Sequence, residues 1–137
     1  MAIVVGDTFA REIEIDAASI KAFATLAGDQ SELHHDEEKA KKSSFGALIA
    51  SGTHSSSLMI GTLATCISER GRALGLSHSM KFRRAIKADT HWRVVWTVTS
   101  THHSEKLGGT IVSCDGRLIG SGGEIAVEAT AETLLYG

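Results

Sequence analysis

The chain of 137 residues contains no proline at all. Every turn must then come from Gly, Asp and Ser chemistry, for which 14 glycines are present. Cysteine is nearly as scarce. Cys66 and Cys114 are too few and too far apart for a disulfide framework or a zinc site, and they read as buried thiols. An excess of one charge sign is missing too: 14 basic against 16 acidic side chains leave a net charge of -2, no footprint for nucleic acid or a membrane surface. No apolar run approaches the ~20 residues that span a bilayer. Met1 to Asp7 carries neither the basic start nor the long apolar stretch of a signal peptide. There is no Walker-type loop and no GxGxxG after a strand to cradle phosphates. A reducing cytoplasm is the expected address. With 42% hydrophobic and 22% charged residues, what remains is a globular chain, expected to form one domain over residues 1–137.

Periodicity supplies the elements. Phe9 to Ile15 alternates apolar and polar residues, which predicts a strand. Asp16 then caps a helix in which Ile20, Phe23, Ala24 and Ala27 recur at helical spacing, and Gly28 ends it. Asp36 caps a short helix through Lys42, acidic in its first turn and basic in its last. Gly52 to Glu69 predicts a longer helix, apolar or small nearly all round and so buried on several sides. After Gly75 the chain reads as strands at Leu76–Ala88, Trp92–Val98, Thr110–Cys114 and Arg117–Ala129. Asp115-Gly116 is the strongest hairpin signal, while Gly120, Gly122 and Gly123 predict a bulge or bend inside the last strand. The expected class is α+β, a long buried central helix wrapped by a curved antiparallel sheet.

The most informative stretch is Gly28-Asp29-Gln30-Ser31-Glu32-Leu33-His34-His35-Asp36, followed by Ile49-Ala50-Ser51-Gly52-Thr53-His54. Asp29 and His34 share one loop, and a carboxylate and an imidazole within reach of one another hold and deprotonate a water. Ser51-Gly52 opens the long helix, where backbone N–H groups polarise a carbonyl. Those are two halves of one reaction. His54, in the first turn, is expected to be neutral and either to line the substrate or to be satisfied in the pocket wall. His34, His35 and Asp36 do not extend to a metal site, because no further His or Cys follows at ligand spacing. Lys81, Arg83, Arg84 and Lys87 form a basic cluster, suited to a solvated face or to the phosphates of a nucleotide-like handle.

At these residues the chain resembles the MaoC-like dehydratase family, which includes the (R)-specific enoyl-CoA hydratases. The family's D-x-x-P-x-H loop, often continuing H-x-D, reads here from Asp29 to Asp36, and its F-G and I-A-S-G-x-H segments read Phe45-Gly46 and Ile49 to His54. The likeness covers Phe23 to Leu58 and continues through Phe82 to Asp89. It implies a hot-dog fold, an acyl thioester substrate, no metal, and no cofactor beyond the CoA thioester itself. It carries catalysis onto Asp29 and His34 and the oxyanion-type donor onto the Gly52 N–H. Ser31, Ser51, Thr53, His54, Lys81, Arg83 and Arg84 are expected to bind substrate. The implied reaction is hydration of a 2-enoyl-CoA to a 3-hydroxyacyl-CoA, or its reverse. An acyl-CoA thioesterase and a non-catalytic acyl-CoA-binding domain are the alternatives on the same fold. The implied partners are acyl-CoA or an acyl-carrier-protein thioester, and a second copy in a homodimer or dimer of dimers. Two departures lie inside the motif. The family's proline falls at Glu32, so the loop is expected to be freer and to carry an added negative charge, and an Asn often found two after the Asp is Ser31.

Overall fold

Three short polar side chains set where the helices begin in the computed structural model, which describes residues 2–137. Asp16 accepts the Ser19 N–H at 2.8 Å and opens α1 (Ala17–Ala27), which Gly28 stops in the left-handed region at φ 77°. A 3-10 turn (Glu32–His34) follows, and Asp36 accepts the Lys39 N–H at 3.1 Å to open α2 (Glu37–Lys42). Ser51 does the same for α3 (Gly52–Ser68), accepting the His54 N–H at 3.2 Å. Among the described residues no helix is long and apolar enough to cross a membrane.

The strands β1 (Thr8–Ile15), β2 (Arg72–Phe82), β3 (Thr90–Ser104), β4 (Gly109–Gly120) and β5 (Ile125–Tyr136) form one antiparallel sheet in the order β1-β3-β4-β5-β2. Its inner face presents Trp92, Val94, Trp96 and Val98 from β3 and Val112, Cys114 and Leu118 from β4 to the core. There they join Met59, Leu63 and Ile67 of α3. The Trp96 indole N–H donates to the Met59 carbonyl at 2.8 Å, tying sheet to helix with the ring's polar atom satisfied. Cys66 and Cys114 are free thiols, and burial pushes Cys114 up to about 11.

The expected class holds, with four corrections. Asp115-Gly116 is not a turn. Strand β4 runs straight through it, because Gly116 lies against the Trp96 ring, where a Cβ would come within 2.6 Å of two ring carbons. The hairpin is made instead at Ser121–Gly123, the segment expected to be a bulge, with Gly123 left-handed at φ 86° and its N–H on the Gly120 carbonyl at 3.0 Å. Strand β2 starts at Arg72, earlier than expected, and stops at Phe82 instead of continuing to Ala88. Beyond Phe82 the backbone pairs across to the segment before α3: Ala50 donates to Ile86 at 2.8 Å and Ala88 to Leu48 at 2.9 Å. Finally, α3 buries one side only. His54, Ser55, Met59, Thr62, Leu63 and Ile67 face the sheet and α1, while Ser57, Gly61, Ala64 and Thr65 are exposed in the single chain.

Candidate active site

Asp29 is delivered by the end of α1. Its N–H donates to the Ala24 carbonyl at 2.9 Å, and its Oδ1 accepts the Ser31 N–H at 3.1 Å, closing an Asx turn. Oδ2 is left facing His34 Nε2 at 3.3 Å. His34 is buried, and its other ring nitrogen lies 2.7 Å from the Ile49 carbonyl. A carbonyl only accepts, so Nδ1 carries a proton, and in the neutral tautomer that this bond selects Nε2 turns a lone pair toward Asp29. A carboxylate and a lone pair at 3.3 Å do not bond to each other. A proton shared between them, or a water giving one hydrogen to each, satisfies both.

His34 lines a cavity of about 370 Å³ with Gly52, Phe45, Ser55, Phe82 and Arg84, whereas Asp29 does not line it and is joined to it only through its 3.3 Å contact with His34. Gly52 is the first residue of α3, so its N–H has no acceptor within the helix and is free for a ligand in that cavity. The Phe82 ring lies over it, 3.1 Å from where a Cβ would stand. The bridge between Ile49 and Lys87 braces both sides at once, since it aligns the segment that feeds Gly52 and presents the Ile49 carbonyl to His34.

The other expected site residues divide. Ser51 is buried as the cap of α3, with its hydroxyl 3.2 Å from that of Thr53, and serves the helix start. Ser31 and Thr53 are exposed and do not line the cavity. Arg83 lines it but gives its guanidinium to Glu128 at 3.1 Å, whereas Arg84 lines it without an ion pair among the described residues. Lys81 is not brought to the site. It stands in a groove on the outer face of the sheet with Asp115, Arg117 and Glu128, because alternate residues of a strand face opposite ways. Ser55, Phe45 and Phe82 were missed by the sequence reasoning. Each carried a signal: Phe45 stands in the F-G segment of the family motif, Phe82 opens the second stretch of the likeness, and Ser55 lies three residues beyond Gly52 on the same helix.

His54 packs rather than lines the cavity. Its ring stacks on Phe23 at 4.6 Å between centroids and 6° between planes. That stack ties the helix that delivers Asp29 to the helix that delivers Gly52. The ring is 5% exposed and its Nδ1 has no partner, so burial lowers its pKa against the opposing pull of Asp16. The folded value sits below the ordinary 6.5, so the unfolded chain takes up this proton first. The stabilisation is therefore fully present above 6.5 and is lost as pH falls through the window beneath it. Urea unfolding from about pH 7.5 to about pH 5 should show that fall, and His54→Phe should reduce it. An equal fall in both proteins would place the pH response elsewhere.

Glu32 adds its charge at the surface of the loop. Its carboxylate is exposed and bonds Lys39 at 2.6 Å, which holds that lysine above its usual range. The added charge is met by a cation of α2.

A model of the MaoC like domain matches residues 4–113. The chain belongs to the MaoC-like family. This MaoC-like chain is 30% identical over 83 residues to a 3-hydroxybutyryl-CoA dehydratase of Methylorubrum extorquens, a match covering 61% of the chain. The matched part spans about half, 52%, of that curated relative. Among solved structures, an (R)-hydratase from A. caviae involved in PHA biosynthesis superposes with a TM-score of 0.87 at 25% identity, covering 98% of both chains. A MaoC-like dehydratase from Rhodospirillum rubrum gives 0.82 at 28% identity, covering 98% of this chain and 93% of that one. The fold of the MaoC-like chain is thus the hot-dog fold, with α3 against the curved sheet.

Proposed function

We propose that this chain hydrates 2-enoyl thioesters to 3-hydroxyacyl thioesters, and catalyses the reverse dehydration. The observation that carries the reading is His34. With Nδ1 fixed on the Ile49 carbonyl, Nε2 and the Asp29 carboxylate become two acceptors side by side, a seat for one water. The names of the relatives, a CoA-thioester dehydratase and an (R)-hydratase, support the same chemistry.

In this reading the thioester carbonyl accepts from the Gly52 N–H, which draws electron density out of the double bond and makes C3 electrophilic. The seated water adds its oxygen to C3 while one of Asp29 and His34 takes its proton. C2 gains a proton from the same pair, and the site returns to its starting charge. The substrate brings its own CoA or carrier handle and the protein supplies no cofactor. Arg84, at the cavity without an ion pair among the described residues, is suited to a phosphate of that handle. Ser51 and Thr53 shape the donor helix, and Ser31 shapes the acceptor loop.

A second copy of the chain is the proposed partner. Strand β2 is an edge strand eleven residues long that exposes Leu74, Leu76 and Phe82, and such an edge calls for pairing. A homodimer would also cover the exposed side of α3. Two free thiols fit a reducing compartment, and the cytoplasm is the proposed one.

The reading is tested with crotonyl-CoA, following loss of the enoyl absorbance and release of thiol in parallel. Absorbance loss without thiol is expected. Thiol release alone would make the chain a thioesterase, and binding with neither reaction would make it a non-catalytic acyl-CoA domain.

A further inference from the structure

The loop that carries Asp29 has no proline ring to stiffen it, yet it is bonded at nearly every turn. Ser31 gives its N–H to Asp29 Oδ1, His34 its N–H to the Ser31 carbonyl at 3.0 Å, and Ile49 its N–H to the Leu33 carbonyl at 3.1 Å. The ion pair of Glu32 and Lys39 is exposed, and such pairs hold little. One bond stands apart because it comes from a side chain that the reaction does not use. His35 places Nε2 2.7 Å from the Asp29 backbone carbonyl. The acceptor is a carbonyl, so Nε2 carries the proton and donates. His35 is half-buried and does not line the cavity.

This bond closes the loop on itself, from His35 back to Asp29. Together with the Asp29 N–H on Ala24, it fixes both ends of the backbone unit from which the carboxylate projects. The Asx turn then sends Oδ1 to Ser31 and leaves Oδ2 for His34. Without His35 the carbonyl is released, the Asp29–Gln30 peptide can rotate, and Oδ2 is no longer held at 3.3 Å from the imidazole.

We propose that His35 is a positioning residue for Asp29, a hydrogen-bonded clamp that does in this proline-free loop what a ring at position 32 would do through the backbone. The backbone itself is ready for that exchange. Ser31 has φ -59° and ψ 132°, the extended region that a residue before proline requires. Glu32 is the first residue of the 3-10 turn, where a missing N–H forfeits no bond within the turn. Glu32→Pro should therefore fit, and should restrain the loop by a route independent of the imidazole.

For turnover the proposal rests on the hydratase reading, so its test has one arm with substrate and one without. With crotonyl-CoA, His35→Leu is expected to lower kcat on the order of 10-fold to 100-fold, as misplacement of a reacting group does, with KM within about twofold. His35→Gln carries an amide N–H close to the place of Nε2, and the double variant His35→Leu with Glu32→Pro stiffens the backbone. Each should return kcat to within about threefold of the natural chain. A kcat for His35→Leu within about twofold of the natural chain overturns the clamp. So does a loss that neither the amide nor the proline repairs. The second arm is crystallographic. In His35→Leu the contact between Asp29 Oδ2 and His34 Nε2 should open, and in the double variant it should close again. An unchanged contact in His35→Leu overturns the clamp even if the chain hydrates nothing, which keeps its failure distinct from failure of the hydratase reading. Should His35→Leu not fold, His35→Asn, whose shorter amide falls short of the Asp29 carbonyl, takes its place: the same opening of the contact and loss of kcat are expected, both repaired by Glu32→Pro, and an unchanged contact overturns the clamp.

Discussion

Asp29→Asn is expected to lower turnover of a 2-enoyl-CoA by roughly 10²–10⁴-fold, the usual contribution of a positioned acid–base group. The substitution is the cleanest available because the amide oxygen can still accept the Ser31 N–H, so the Asx turn survives. What it loses is the second acceptor of the pair. An amide nitrogen at the Oδ2 position donates to the His34 lone pair, fills the seat of the water and takes up no proton. His34→Ala should have an effect of similar size on turnover. It also strands the Ile49 carbonyl, at about 1–3 kcal/mol of stability, so melting must be measured beside rate. Because the two groups act on one water, the double variant should be little worse than either single one. Steady-state rates for the three proteins decide the matter. An Asp29→Asn protein retaining a third or so of the natural rate would remove Asp29 from the chemistry.

Gly116→Ala should be among the most destabilising single-methyl additions in the chain. The new carbon would stand 2.6 to 2.7 Å from three atoms of the Trp96 ring. That ring has nowhere to go: Trp96 is fully buried and its N–H is fixed on Met59. Relief requires shifting either β4 against β3 or the indole against α3. Overpacking of this kind costs about 1–3 kcal/mol, and loss of the indole hydrogen bond adds to it. Thermal melting should fall by roughly 4 °C for each kcal/mol. Alanine at Gly61, where nothing within one chain stands within 4 Å of the added carbon, is the control under conditions that keep the chain monomeric, and should melt close to the natural chain or above it. Equal melting for both variants would contradict the packing argument.

The same glycine shows what could be read from the residues and what could not. The three helix starts were legible at Asp16, Asp36 and Ser51, because a cap is a contact over three residues and its chemistry is local. Asp29 and His34 were legible as a pair for a similar reason, sharing one loop. Which nitrogen of His34 faces Asp29 was not, since that is decided by the Ile49 carbonyl fifteen residues away. Asp115-Gly116 has the composition of a tight turn, but the need to seat Trp96 of the neighbouring strand outweighed it. Lys81 was grouped with Arg83 and Arg84 by closeness in sequence, although the two-residue period of a strand already separates it from the face of Phe82. His54 looked like a site residue from its place in the first turn of α3. Its stacking partner, Phe23, lies on another helix.

The central claim is that Asp29, His34 and Gly52 form one site around an enoyl thioester. A crystal structure with a non-reacting 2-enoyl-CoA analogue tests it most directly. The thioester carbonyl oxygen should lie within ~3 Å of the Gly52 N–H, with C3 of the acyl group facing a water held between Asp29 Oδ2 and His34 Nε2. An analogue bound with its carbonyl away from Gly52, or with C3 turned from that pair, would contradict the account.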